Sequence, residues 1–397
     1  MHCNNSMYYM LIALIPVFTM YKVPFIGISM ASIIFMITGS YVILGYSYRI
    51  NSYKLTLILL WGLYYLWVIT KSEMASQITS VFMILHLFEI MRRKDSHDIL
   101  RRTVESVSVL AFFVVSIQYF FHLITGFHIP MIFMPFCTDS VKATYSDLII
   151  SGFSPISMMY RPSAFFLEPS HYTQYCIFGL LSCMCREKTR VNFRNAVIIT
   201  AGIIITTSGM GIALSFSLWI WKYIFDQKTP ITKRLKQTII ASFGMGVVFA
   251  VLMLIPNFSR AIIRIFDTKS SIGSITGRTL AWKVVFEGKE LTDLVWGYGD
   301  AALTQKYYLT GLMKVLYSYG VIGFCLLIVA IIAVFLRAGK YGRMCCLLYI
   351  AFLPFTDQIG FIGTIFMLGM AVSTINDKKE VFLNSEQYSR TLLYERI

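Results

Sequence analysis

The sequence predicts an all-α fold, a polytopic helical bundle of about twelve membrane spans forming one membrane domain over residues 1–397. Hydrophobic residues make up 57% of the chain and charged residues 14%, whereas soluble domains carry about 25% charged residues. Apolar runs near the length of a span recur from end to end, and Lys and Arg concentrate in alternate connections between them. These observations exclude an ordinary soluble domain.

The apolar runs give the predicted spans in chain order. The first run has no preceding basic region and no cleavage site after it, so we expect a retained span rather than a signal peptide. The predicted spans cover about 8–21, 25–46, 55–70, 75–91, 104–124, 172–185, 193–207, 210–226, 238–256, 312–337, 344–356 and 359–374.

The basic residues predict the orientation in the membrane. The positive-inside rule places the basic connections, and with them both termini, in the cytoplasm. The same clustering accounts for the net charge of +15 without nucleic acid as a partner. These connections lie at 49–54, 92–102, 186–194, 222–236, 337–343 and in the tail at 378–396.

Two long segments, 125–171 and 257–311, then fall on the opposite face. In a bacterial inner membrane this face is periplasmic, and the other connections there are short. We therefore expect the protein to work at the periplasmic face.

The first segment contains the most polar stretch of the chain, YRPSAFFLEPSHY at 160–172. Its two prolines favour irregular backbone or helix starts, which places Arg161 near one helix N-terminus and Glu168 and His171 near another. Arginine and helix N-termini bind phosphate oxygens, and a carboxylate or neutral imidazole can take a proton from a sugar hydroxyl. The structural alternative is an Arg161–Glu168 ion pair that holds a loop.

A second polar motif, TTSGMG at 206–211, separates two apolar runs. Gly and Ser break the helix there, and irregular backbone at membrane depth survives only inside protein or beside a wet cavity. The motif predicts a broken hairpin beneath the external face or, equally, a plain tight turn.

The second external segment supplies further cations and aromatic rings. Arg260 and Arg264 share one helix face and could clamp a diphosphate, or could snorkel from an interface helix. Arg278 precedes a predicted helix containing Trp282. Tyr298, in the turn WGYG, and Trp282 are candidates for stacking on sugar rings, although a Trp could equally anchor the membrane interface.

With these motifs the chain resembles the Wzy-type O-antigen or capsule repeat-unit polymerases over most of its length. The resemblance is carried by RPSAFFLEPSH at 161–171, TSGMG at 207–211, GRTLAW at 277–282 and WGYG at 296–299. The first motif is the most specific of the four.

The resemblance implies a polyprenyl-diphosphate-dependent glycosyltransferase of GT-C-like architecture. Its donor would be a growing glycan on undecaprenyl diphosphate, and its acceptor one repeat unit on the same carrier. No metal and no cofactor is expected, because no Cys/His spacing or carboxylate cluster predicts a metal site. Besides the lipid bilayer, the expected partners are a chain-length regulator and a repeat-unit flippase.

The same resemblance assigns roles to the polar residues. Arg161 and Arg278, with Arg260 or Arg264, would hold the donor diphosphate and stabilise its departure. Glu168 or His171 would deprotonate the acceptor hydroxyl, and the choice between them is open.

Two other functions remain as alternatives. An O-antigen ligase would use the same donor but transfer finished glycan to lipid A-core. A lipid-linked glycan transporter would need acids or histidines at mid-membrane, which the predicted spans largely lack.

Overall fold

The structure is a computed structural model, and the residues that it describes are almost entirely helical. Over these residues it contains no β-strand, and Tyr21–Cys137 and Lys22–Ser29 form isolated antiparallel bridges. The all-α prediction is therefore confirmed for this part of the chain. The described residues are 3–19, 21–23, 28–44, 52–72, 74–92, 96–126, 136–137, 161–166, 168–185, 192–224, 286–287, 290–299, 309–356 and 361–375, with isolated positions between 232 and 263.

The helices follow the predicted apolar runs. Each run except 238–256 contains a helix, and that run is described only at isolated positions. In chain order the helices are α1 (Cys3–Phe18), α2 (Met30–Leu44), α3 (Ser52–Lys71), α4 (Met74–Arg92), α5 (Ser96–Thr125), α6 (Pro169–Met184), α7 (Phe193–Ile205), α8 (Gly209–Ile224), α9 (Leu291–Trp296), α10 (Gly311–Arg337), α11 (Lys340–Phe352) and α12 (Phe361–Val372).

Within the described ranges, two helices are long and apolar enough to cross a membrane. They are His97–Thr125, which is nearly all of α5, and Gly311–Arg337, which is α10. A straight helix rises 1.5 Å per residue, so crossing a hydrocarbon layer of about 30 Å takes about 20 residues. The larger arrangement of about twelve spans, with both termini cytoplasmic, stays a prediction.

Stripes of large apolar side chains are exposed along two of the helices. The exposed positions recur every three or four residues, so each stripe occupies one helix face. Such continuous apolar surface is unusual on a protein in water and fits contact with lipid. The positions are Leu55, Leu59, Leu63 and Leu66 on α3, and Leu110, Phe113, Ile117, Phe120 and Ile124 on α5.

The chain divides into two compact units, each built around helices. Unit 1 comprises Met1–Pro16, Ala31–Arg101 and Trp282–Ile397, and unit 2 comprises Val17–Met30 and Arg102–Ala281. Helix α5 begins in unit 1 and continues through unit 2. The prediction of one membrane domain stays a prediction.

In unit 2, α6 is buried along nearly its whole length. Its own Gly179 lies against α5. Gly202 of α7 lies against the ring of Tyr172, and Gly211 of α8 lies against Thr173. Small residues at such crossings let helix backbones approach closely in a membrane. Helix α6 is thus the central helix of unit 2, with α5, α7 and α8 packed on it.

In unit 1, α10 is broken at Gly320, which has φ 69° and ψ −174°. The sequence predicted a span over about 312–337, and it did not predict a break within it. Such a break leaves the carbonyls before it without the N–H donors that a continuous helix would supply. Here the turn after α9 and an indole of α3 donate to these carbonyls instead. The new pairs are Tyr298 N to Tyr317 O at 2.8 Å, Gly299 N to Ser318 O at 2.9 Å, and Trp67 Nε1 to Tyr319 O at 2.8 Å.

The turn and the break meet at two glycines. Gly297 has a φ of 77°, and a methyl group there would lie 2.5 Å from the backbone nitrogen of Gly320. A methyl group on Gly320 would in turn collide with the carbonyl oxygen of Val295. Glycine is therefore required at both positions, for the left-handed backbone and for the close approach.

Candidate functional site

The stretch that follows Arg161 is irregular and is fixed by a side chain of α5. Ala164 has a φ of 54°, in the left-handed region that non-glycine residues rarely adopt. Gln118 holds it with two hydrogen bonds: the Ala164 N–H donates to Gln118 Oε1 at 2.8 Å, and Gln118 Nε2 donates to the Ala164 carbonyl at 3.3 Å. Both residues are buried, so this amide clamp determines the path of the chain between Arg161 and α6.

Arg161 contacts the turn between α7 and α8. Its Nε donates to Thr207 Oγ1 and its Nη2 donates to the Thr207 carbonyl, both at 3.3 Å. The two polar motifs singled out in the sequence, 161–171 and 206–211, therefore meet within unit 2. The side chain is half-buried, so its positive charge lies at the surface of the unit rather than in its core.

Thr207 itself is strained. Its φ is 53°, which for a β-branched residue is a clear outlier. Helix α7 ends just before it, with Thr207 N donating to the Ile204 carbonyl at 2.9 Å, and α8 starts at Gly209. A strained residue that accepts hydrogen bonds from an arginine is typical of a site whose geometry is held for a purpose.

Glu168 and His171 lie at the start of α6, as Pro169 at the first helical position predicts. Glu168 is the N-cap residue and is exposed, and its Oε2 accepts a hydrogen bond from Ser170 Oγ at 3.0 Å. His171 lies in the first turn and is buried. Among the described residues Glu168 forms no ion pair with Arg161, so the alternative of a loop held by that pair is not observed.

Tyr298 belongs to unit 1, in the turn that captures the broken α10. Its ring stacks on Tyr317 with centroids 4.8 Å apart, and its hydroxyl donates to Asp293 Oδ2 at 3.2 Å. Partial burial raises the pKa of the Tyr298 phenol, and the hydrogen bond to Asp293 raises it further. Trp296 beside it is more than half exposed. Unit 1 thus presents aromatic rings around a rigid turn.

Four predicted site residues lie outside the described residues: Arg260, Arg264, Arg278 and Trp282. Their roles in diphosphate and sugar binding stay predictions. The structure places Arg161, Glu168 and His171 in unit 2 and Tyr298 in unit 1.

Sequence reasoning missed the roles of Gln118, Ala164 and Trp67. The available signal for Gln118 was a lone amide within the apolar run 104–124, since polar residues inside spans usually have a partner or a function. Trp67 gave no signal, because tryptophan is common at membrane interfaces.

The described residues contain no group of three side chains that could hold a metal ion. Comparison with models of known protein families gives no match, and comparison with curated proteins gives no significant similarity.

Proposed function

We propose that the chain is a repeat-unit polymerase for O-antigen or a related surface polysaccharide. It joins oligosaccharide units carried on undecaprenyl diphosphate at the periplasmic face of a bacterial inner membrane. In this proposal the chain crosses the membrane about twelve times with both termini in the cytoplasm. The exposed apolar stripes of α3 and α5 support the membrane setting.

One observation carries the proposal: Arg161 is anchored on the strained Thr207. The arginine comes from the most specific motif of the resemblance, and the threonine from a second motif 46 residues away. Both Thr207 acceptors are neutral, so these two hydrogen bonds position the guanidinium without cancelling its positive charge, which attracts an anion. A donor diphosphate is such an anion, and it must be stabilised as it leaves.

The proposed reaction is a single glycosyl transfer. An acceptor hydroxyl oxygen attacks the anomeric carbon of the donor glycan, and the bond from that carbon to the diphosphate oxygen breaks. Undecaprenyl diphosphate leaves with the bonding electron pair, next to Arg161. Glu168 takes the hydroxyl proton, because it is exposed, whereas His171 is packed inside unit 2.

The test is complementation of a deletion strain, read on glycan gels. We expect the strain to carry core with one repeat unit, and wild-type protein to restore long ladders. Arg161→Ala should restore none although the protein inserts at normal level. Arg161→Lys should restore them poorly, because an ammonium cannot bond Thr207 and a diphosphate with the same planar fork.

The matched control is Arg102→Ala, which removes an arginine from the predicted cytoplasmic end of α5. It should leave the ladder unchanged. Full ladders from Arg161→Ala would refute the proposal. Bare core in the deletion strain would instead assign the chain as a ligase, because a ligase is needed even for the first unit.

A transporter is less well supported by the buried ionisable residues. His86 of α4 is fully buried, with Tyr8 Oη at 2.7 Å from Nδ1 and the Phe35 carbonyl at 3.0 Å from Nε2. Both ring nitrogens are thus engaged with α1 and α2, as expected for a side chain that ties helices together rather than one that carries an ion.

A further inference from the structure

Two buried polar side chains in α6 have hydrogen-bonding atoms without a partner. Gln174 is 3% exposed, and within the described part of the chain neither its Oε1 nor its Nε2 has a hydrogen-bond partner. Thr173 beside it is 1% exposed, and its Oγ1 is likewise unbonded. Buried polar atoms in native proteins are nearly always satisfied, so an amide unsatisfied at both ends calls for a specific reason.

These buried polar side chains lie close to the proposed site, which suggests that a ligand satisfies them. Gln174 follows His171 by three residues, so the two share one face of α6. Thr173 packs against the first turn of α8, which follows the turn that holds Arg161, since a methyl group on Gly211 would lie 2.7 Å from Thr173 Oγ1. Both side chains therefore lie within one helical turn of the proposed site and below its surface.

The chemistry of an amide limits what it can bind. Gln174 offers two N–H donors and a carbonyl acceptor, so it is satisfied by a group that both accepts and donates. Phosphate oxygens only accept and would leave Oε1 unsatisfied. A sugar hydroxyl, or the acetamido group of an N-acetylated sugar, both accepts and donates.

We infer that Gln174 binds a hydroxyl or acetamido group of the saccharide, on the face of α6 that carries His171 and one helical turn beyond it. The identity of that saccharide as a lipid-linked repeat unit rests on the proposed function. A buried site that hydrogen-bonds a sugar group discriminates strongly against sugars lacking it, because its own amide would then stay unsatisfied. Gln174 would thus contribute to the choice of repeat unit.

The experiment compares one substitution at two buried glutamines of unit 2. Gln118 is 2% exposed with both amide ends bonded to Ala164, whereas Gln174 has neither end bonded. We expect Gln118→Leu to lower the Tm of the purified full-length protein by at least about 2 °C. Gln174→Leu should leave it unchanged or raise it, because it removes two unsatisfied polar atoms and keeps the volume.

Binding is measured on the same purified proteins with the lipid-linked repeat unit extracted from the deletion strain. We expect this lipid to raise the Tm of the wild type and to raise that of Gln174→Leu much less. In cells, Gln174→Leu at normal membrane level should shorten or abolish the ladder. Comparing the Tm shift caused by a repeat unit that carries an acetamido group with the shift caused by one that carries only hydroxyls shows which of the two groups Gln174 binds.

The outcomes separate this inference from the proposed function. If Gln174→Leu binds the lipid like wild type, or loses as much Tm as Gln118→Leu, the inference is overturned and the polymerase proposal stands. If the deletion strain still makes long ladders while wild type binds the lipid through Gln174, the polymerase proposal fails and the saccharide site stands.

Discussion

At the scale of single residues, two non-glycine residues in the described part of unit 2 are in the left-handed region, Ala164 and Thr207. Each is bonded to a side chain from elsewhere in the sequence, Ala164 to Gln118 and Thr207 to Arg161. Such conformations cost about 1–3 kcal/mol each and persist only where the surroundings enforce them. The two side chains are therefore what hold the proposed site in shape.

The Gln118 clamp can be tested with a glycine rescue. Gln118→Ala removes two hydrogen bonds, each contributing about 0.5–1.5 kcal/mol, and should shorten the glycan ladder. Ala164→Gly removes the cost of the left-handed backbone, about 1 kcal/mol, so the double variant should recover part of the ladder. If glycine recovers nothing, Gln118 stabilises packing only and does not act through Ala164.

Thr207 can be tested with residues of opposite backbone preference. Thr207→Gly keeps the carbonyl that accepts from Arg161 and relaxes the backbone, so the ladder should persist. Thr207→Pro fixes φ near −65° and removes the N–H that bonds Ile204, so the ladder should disappear. Comparable ladders from both variants would show that the left-handed turn is not needed.

At the scale of elements, the main departure from a simple bundle is the broken α10. An isolated glycine in a long apolar run is compatible with a continuous helix, so the sequence gives no warning of the break. In the structure, the carbonyls before Gly320 are bonded by a turn and an indole instead of by their own helix. The WGYG turn, predicted as a surface for sugar stacking, also caps the part of α10 that precedes Gly320.

Alanine substitutions test this arrangement. Gly297→Ala and Gly320→Ala should each destabilise the protein by more than about 1–3 kcal/mol, because backbone collision adds to left-handed strain. Gly62→Ala in α3 is the matched control, since a methyl group there meets nothing within 4 Å. It should stabilise by about 0.5–1 kcal/mol through helix propensity. Thermal melts of the purified variants measure the losses and the gain in stability. An unchanged Tm for Gly297→Ala would contradict the close approach of Gly297 to Gly320.

The positions of the helices could be predicted from the sequence, whereas the contacts between distant residues could not. Eleven of the twelve predicted apolar runs contain a helix, because hydrophobicity over that length is a local property, whereas the short helix α9 lies outside them. Pro169 predicted the start of α6 for the same reason. The helix start predicted at Pro162, next to Arg161, is wrong, because residues 162–166 are irregular. The partner of Arg161 could not be predicted, because it lies 46 residues away and its carbonyl belongs to the main chain. The contact of Gln118 with Ala164 could not be predicted either, because a lone amide in an apolar run does not indicate which backbone groups it bonds.

At the scale of the whole molecule, apolar surface and basic connections support the same setting. The exposed stripes on α3 and α5 fit contact with lipid, and the positive-inside rule predicts that the Lys and Arg clusters lie on one side of the membrane. Neither feature depends on the detail of the proposed site.

Reporter fusions test the orientation. A reporter active only in the cytoplasm should work when fused after residue 190 or at the C-terminus, and one active only in the periplasm should work when fused after residue 150. The expectation follows from the positive-inside rule. A periplasmic signal at residue 190 would invert the predicted topology and move Arg161 to the cytoplasmic side.

The capture of the broken α10 has a consequence for how the chain is made. Trp67 donates to the carbonyl of Tyr319, 252 residues later, so its indole has no acceptor until about four fifths of the 397 residues have been synthesised. The N–H groups of Tyr298 and Gly299 likewise gain their acceptors only when residues 317 and 318 have been synthesised. Nascent chains released before α10 would therefore lack the acceptors that these donors have in the finished protein.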